Sequence, residues 1–289
     1  MDIMENLLST EDLYLLNHWQ PFLYLALTLI FFWVGKIVYD ILTPYKINKE
    51  LTENDNKAFA VSFSGYLFAL GIIVWGVIDS PSISLVTDTI EISFWSVVGI
   101  VLLNVNRVIN NKFLLRYFDN VKEIIDDKNV GTGAVEFGSY MGTAFIIHSL
   151  VTGVSEGWEN DLISTAIFFA VGQILFILFS FVYQKFTSFD IHKEIEKDNI
   201  AAGVSFGATL LSVGYLISEA IAKSDSLLFL LVWFIGGSIL LIITRKITDY
   251  LLFPKNSIDK EIEEDANWGV SIIEGTISFI VVLILNSMF

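Results

Sequence analysis

Eight apolar runs, each about twenty residues long, dominate the chain and leave it few ways to fold. They are Pro21–Leu42, Ala58–Ile78, Ile90–Val108, Gly133–Val154, Leu162–Tyr183, Ala201–Ile221, Leu227–Thr244 and Trp268–Phe289. At 1.5 Å per residue each spans a hydrocarbon core of about 30 Å. Inside lipid every backbone N–H and C=O needs a partner within the protein, so only helices or closed barrels qualify. The runs are continuous rather than alternating, which selects helices. Only 17% of residues are charged and mean hydropathy is +0.64, whereas soluble domains carry about 25% charge. The expected fold is an all-α membrane protein of about eight transmembrane helices.

The connections carry the orientation. Fifteen basic residues follow the odd-numbered runs: Lys46, Lys49 and Lys57; Arg107, Lys112, Arg116, Lys122 and Lys128; Lys185, Lys193 and Lys197; Arg245, Lys246, Lys255 and Lys260. The opposite side holds Lys223 alone, and Lys36 sits within the first run. Lys and Arg concentrate in cytoplasmic loops. Both termini are therefore expected outward, with the longer connections in the cytoplasm. Residues 1–19 read as an outward segment ending in a short interfacial helix, capped by Ser9-Thr10-Glu11-Asp12. That start is acidic and lacks the basic region of a secretion signal.

Self-similarity says more than composition does. Asn56, Asn129, Asn199 and Asn267 open the even-numbered runs at spacings of 73, 70 and 68 residues. Small residues follow at the second and fourth positions after each: Ala58 and Ala60, Gly131 and Gly133, Ala201 and Gly203, Gly269 and Ser271. Upstream comes Lys-Glu-aliphatic every time, as Lys49-Glu50-Leu51, Lys122-Glu123-Ile124, Lys193-Glu194-Ile195 and Lys260-Glu261-Ile262. An aspartate precedes each asparagine by one or two residues. Copies two and four also align without a gap at an offset of 138, pairing Gly99 with Gly237, Arg107 with Arg245 and Glu136 with Glu274. The unit is a helical hairpin with a charged surface segment and an Asp/Asn-capped return. Each unit crosses twice, so all four share one orientation. Two four-helix modules result, 20–154 and 155–289. The small residues read first as close helix packing.

An asparagine followed by alternating small residues, after Lys-Glu-aliphatic on a repeated hairpin, resembles the bacterial membrane family catalogued as domain of unknown function 350, the YjfL-like proteins. The likeness covers nearly all of the chain after Gln20, as two tandem modules. Phe137 departs from the family's small-residue run. The resemblance implies the bacterial inner membrane and supplies no activity or site residues to carry over.

At the seventh position after each asparagine stand Phe63, Glu136, Phe206 and Glu274. Seven residues of helix put the two carboxyls about 10 Å inside the boundary. A charge at that depth costs about 2.5–3.5 kcal/mol on insertion scales, so such side chains face protein and are candidate sites. A low-dielectric setting favours the neutral carboxyl, able to exchange a proton or to bind a cation. Tyr140 and Ser278, one turn on, are expected partners for Glu136 and Glu274. Asn129 and Asn267 cap the same helices. Lys36 either partners a glutamate or snorkels to the surface near Asp40. Asn104, Asn106 and Gln173 read as interhelical hydrogen-bonders. His148 and Glu219 lie toward the outer helix ends. Counting Asp2, Glu5, Glu11, Asp12 and Glu156 among them, twelve acidic residues against Lys223 make the outer side a concentrator of cations.

Much is excluded. With no cysteine there is no disulfide or thiolate chemistry. His18, His148 and His192 lack metal-ligand spacing, and no phosphate loop, HExxH pair or GxSxG elbow occurs. No connection is long enough for a catalytic domain, so neither enzyme activity nor a cofactor is expected. Two functional readings stay open. One is a cation- or proton-linked transporter or channel using Glu136 and Glu274. The other is a non-transporting structural or regulatory module that binds other membrane proteins. The expected partners are lipid, a small cation or proton, and a second copy or another membrane protein, and not nucleic acid.

Overall fold

Four asparagines start four helices by one device. In each, the side-chain Oδ1 accepts from the backbone N–H three residues on: Phe59 at 3.0 Å, Thr132 at 3.0 Å, Ala202 at 3.2 Å and Val270 at 3.4 Å. That satisfies an orphan donor of the helix N-terminus. The residue before each asparagine is left-handed, with φ of +45° at Asp55, +54° at Lys128, +64° at Asp198 and +47° at Ala266. The chain thereby turns from a short surface helix into a long one.

The structure, a computed structural model, describes residues 19–288 except Val154 and Glu156. The interfacial helix expected before Gln20 lies outside the described residues. Among the described residues eleven α-helices follow in order: α1 Gln20–Leu42, α2 Lys57–Ile78, α3 Leu85–Ile109, α4 Asn120–Ile125, α5 Val130–Val151, α6 Trp158–Phe186, α7 Ile191–Glu196, α8 Ile200–Lys223, α9 Leu227–Leu252, α10 Ile258–Glu263 and α11 Trp268–Ser287. Two π-helical turns, Lys49–Glu53 and Asn110–Leu114, occupy the surface connections of the first two hairpins.

Seven of the eight long helices are apolar enough to cross a membrane by length and composition. The eighth, α5, is equally long, and thirteen of its 22 residues are buried. It holds Glu136, Ser139 and Thr143 and packs along both α2 and α8, so its polar groups meet protein rather than lipid. The helices after the asparagines form a row, α2 on α5, α5 on α8, α8 on α11. The odd-numbered helices of the sequence runs, α1, α3, α6 and α9, flank it. The protein is an all-α membrane protein.

Glycine sets the closeness of the row. A Cβ on Gly138 would collide with the backbone of Gly207, and one on Gly214 with the backbone of Gly142. These contacts join α5 to α8, the two halves of the chain, and bring backbones together as small residues do between membrane helices.

Candidate functional site

Three of the asparagines tie two hairpins together. Asn56 Nδ2 donates to Glu50 at 3.1 Å and to the Ile124 carbonyl of the next hairpin at 2.8 Å. Asn129 repeats this with Glu123 at 2.8 Å and Ile195 at 2.5 Å, and Asn199 with Glu194 at 3.2 Å and Ile262 at 2.7 Å. Asn267 donates to Glu261 at 2.8 Å. Outside the membrane, two equivalent glutamates of these caps titrate in opposite directions. Burial raises the Glu123 carboxyl above its ordinary range, while the amides of Asn267 and Asn256 hold half-buried Glu261 below it. Asn129 and Asn267 thus cap α5 and α11 and tie them to the surface helices before them.

The two interior glutamates are both buried, 3% exposed for Glu136 and 2% for Glu274. Neither bonds the expected neighbour one turn on. Ser62 donates to Glu136 at 2.5 Å, and Ser205 donates to Glu274 at 2.6 Å. Both serines stand six residues after the asparagine of the preceding copy, so position six of one hairpin meets position seven of the next. Tyr140 instead packs its ring edge-on against Tyr66, and its hydroxyl has no hydrogen-bond partner among the described residues. Ser278 lines a cavity of about 20 Å³ with Glu274, Arg245, Tyr183 and Thr209, room for about one water. Lys36 reaches neither glutamate. It lies 3.8 Å from Asp40 on its own helix, partly exposed, the snorkelling alternative.

The arginines are the residues that sequence reasoning missed. Arg107 and Arg245, counted among loop charges, stand inside α3 and α9. Arg245 is 7% exposed. Its Nε lies 2.5 Å from Glu274 Oε1, and its Nη1 lies 2.7 Å from Asp259 Oδ1. Arg107 holds the same place in the first module without a carboxylate bond. It sits 4.6 Å over the Tyr39 ring, donates through Nη2 to the Leu42 carbonyl at 3.2 Å, and leaves Nη1 unpaired among the described residues.

The rest of that surrounding differs too. Ser139 donates to Asn110 at 2.8 Å, with the Asn106 Oδ1 3.3 Å away, and the amide nitrogens of both asparagines are buried without a partner among the described residues. In the second module the positions of Asn106, Asn110, Ser139 and Tyr140 hold Thr244, Thr248, Ile277 and Ser278. The first module thus gathers Glu136, Arg107, Asn106, Asn110 and Tyr140 in a polar interior with spare hydrogen-bonding capacity. Such buried orphans each cost about 1–3 kcal/mol. The gapless alignment of copies two and four held the signal, had each position been compared. Of the other polar residues, Gln173 bonds Thr143 across α6 and α5 at 3.0 Å, as an interhelical hydrogen-bonder does.

A larger cavity of about 820 Å³ opens at the helix ends away from the caps, among His148, Trp75, Tyr215, Ser218, Glu219 and Asp225. Neither interior glutamate lines it. His148 lies twelve residues beyond Glu136, about 18 Å along α5.

Known proteins bear on the chain as a whole. It is similar to the UPF0719 transmembrane protein YshE of Bacillus subtilis, 32% identical over 125 residues, covering 43% of this chain and 92% of that protein. It is also similar to a UPF0719 transmembrane protein of Aquifex aeolicus, 26% identical over 253 residues, or 84% of this chain and 91% of the relative. No solved structure matches. The Domain of Unknown Function (DUF350) family model matches twice in tandem, over residues 12–151 and 157–289, and the chain belongs to that family.

Proposed function

We propose that this is a proton-linked transport protein of the bacterial inner membrane in which Glu136 exchanges the proton and Glu274 is structural. One observation carries the reading: equivalent carboxyls are held differently, Glu274 by Arg245, and Glu136 by Ser62 with Arg107 nearby but unbonded. A neutral Glu136 suits the arrangement seen, with Arg107 resting on Tyr39. A charged Glu136 would draw the free Nη1 of Arg107, reproducing the Arg245–Glu274 pair and shifting α3 against α5. The second module supplies a picture of that bonded geometry. A proton thus biases a two-state element, as a switch requires. The guanidinium beside Glu136 disfavours a metal cation by like-charge repulsion, so the proton is the ion proposed.

Both termini outward, with the asparagine caps cytoplasmic, is the orientation proposed. It draws support from the basic residues around the caps and the acidic cavity at the other end. No catalysis and no cofactor belong to this reading. The test is proton uptake in proteoliposomes under an imposed potential, read by an enclosed pH dye. Glu136→Gln is expected to abolish uptake while the protein stays folded; uptake equal to the unsubstituted protein's removes Glu136 from the mechanism.

A second reading, the non-transporting module that binds other membrane proteins, is favoured by the backbone contact of α5 with α8, which leaves no space between them. It expects no uptake from the unsubstituted protein, and membrane proteins that co-purify with it.

A further inference from the structure

The two modules treat one arginine atom differently. In the second, Arg245 Nη1 lies 2.7 Å from the carboxylate of Asp259 in α10, and Nε lies 2.5 Å from Glu274. That guanidinium meets two carboxylates. In the first module Val121 stands where the gapless offset of 138 places Asp259. Arg107 Nη1 is buried there with no partner among the described residues. The Arg107 charge, half-buried beside Glu136, thus has no carboxylate bonded to it.

Neutral donors gather round the same place. Ser139 donates to the Asn110 carbonyl, which leaves Asn110 Nδ2 as a buried donor. Asn120 of α4 is 2% exposed and neighbours Glu136, and neither of its amide atoms is paired among the described residues. The Tyr140 hydroxyl is a third such group. At these positions the second module has Thr248, Ile258 and Ser278. One helical turn separates Arg107 from Asn110, and another separates Glu136 from Tyr140. The Ser139 bond ties those two stretches of α3 and α5 together, so the donors share one interior. Buried donors left without an acceptor are costly, and a bound ion is one of the things that satisfies them. The first module has in effect replaced an internal carboxylate with neutral donors around an uncompensated cation.

We propose that this interior binds a small monovalent oxyanion, a one- or two-carbon carboxylate or an ion of similar shape such as nitrate. The anion sits against Arg107 Nη1, in the place that the Asp259 carboxylate takes in the second module. The amide nitrogens of Asn110 and Asn120 and the Tyr140 hydroxyl supply the remaining donors. Charge selects a single negative charge, because one guanidinium faces it and Glu136 is neutral in the arrangement described. Shape selects a planar oxyanion, because a carboxylate fills the equivalent place and guanidinium donors match oxygens in one plane. A charged Glu136 competes for the same Nη1, so anion and proton favour each other's binding. That the two travel together rests on the proton-linked reading, whereas binding is measured without transport.

The test is the melting temperature of the full chain in micelles, in chloride-free buffer at fixed ionic strength. Sodium formate, acetate or nitrate replaces sodium gluconate, whose anion is too large for a buried site. A saturable rise of a few degrees is expected with at least one of the three. Val121→Asp, which restores the missing carboxylate, and Arg107→Gln should each abolish the rise. Exposed Lys112→Gln should keep it, and Glu136→Gln should keep it while losing proton uptake. No rise in the unsubstituted protein would mean that the interior holds water alone, and would overturn the proposal. So would a rise that survives in folded Val121→Asp or Arg107→Gln chains, a larger rise with sodium chloride, or loss of the rise in folded Glu136→Gln chains. The expected rise and its loss in those variants, found without any proton uptake, would strike the transport reading and uphold the site.

Discussion

Arg245 Nε stands 2.5 Å from Glu274 Oε1, joining α9 to α11 where neither side chain reaches water. Two charges so buried are held by each other rather than by solvent. Removing one leaves the other uncompensated, and that loss is large even where the intact pair adds little to stability over an apolar alternative. The first module keeps the same two residue types and lacks the bond, and the roles proposed for the two carboxyls rest on that contrast.

Glu274→Gln is accordingly expected to destabilise the protein by about 3 kcal/mol, at the lower end for a broken buried pair because Asp259 still holds Arg245. Replacing both members with apolar residues, Glu274→Leu with Arg245→Met, should recover much of the loss. Glu136→Gln should cost only about 1 kcal/mol, since the amide oxygen still accepts from Ser62 and no ion pair is broken. Denaturant unfolding in detergent micelles ranks the variants. A loss for Glu136→Gln as large as that for Glu274→Gln would mean the two carboxyls are held alike.

The asparagines allow a comparison within one molecule. Asn199→Ala removes a helix cap together with two buried amide bonds, and should cost about 2–4 kcal/mol. Asn267→Ala removes the cap and one bond at a more exposed position, and should cost about half as much. Thermal melts in micelles decide the order. Equal losses would show that the bond to the following hairpin contributes nothing.

Much of this was legible in the chain. Long apolar runs announce helices because backbone satisfaction in lipid leaves little else, and the asparagine spacing announces the repeat because an N-cap needs a short polar side chain at one place. The partners of the glutamates were not legible. Ser62 and Ser205 look like two more small residues in a glycine- and serine-rich stretch. Their role depends on the register between neighbouring helices, which no local pattern encodes. Arg245 was misplaced for a different reason: it comes one residue after an apolar run, where charge ordinarily marks a loop. Here the helix continues to Leu252, and the guanidinium is covered by Glu274 and Asp259.

Two glycines of opposite surroundings test how the halves are joined. Gly138→Ala places a methyl into the Gly207 backbone and forces α5 away from α8, an overpacking expected to cost about 1–3 kcal/mol or more. A Cβ on Gly236 meets nothing within 4 Å, so Gly236→Ala should be neutral or stabilise α9 by about 0.5–1 kcal/mol through the lower conformational freedom of alanine in the unfolded chain. Melting temperatures moving the same way in both variants would contradict the close approach at the joint.

Acid should weaken the protein through His192. Its Nε2 lies 3.0 Å from the Leu114 carbonyl and its ring packs edge-on against Tyr117, outside the membrane spans. Burial, with Arg116 adding to it, holds the imidazole below its usual 6.5, against the Leu114 and Asp190 contacts that favour the charged form. The unfolded chain therefore binds more protons than the folded one between the depressed value and 6.5. Stability rises with pH wherever that is so. The contribution is complete above about pH 6.5 and is lost as the pH falls from there through the folded value. His192→Gln keeps an amide donor for Leu114 and removes the titration. Melting temperature in micelles across pH 7.5 to 5 should fall more steeply for the unsubstituted protein than for the variant; parallel slopes would mean that His192 binds its proton equally well folded and unfolded.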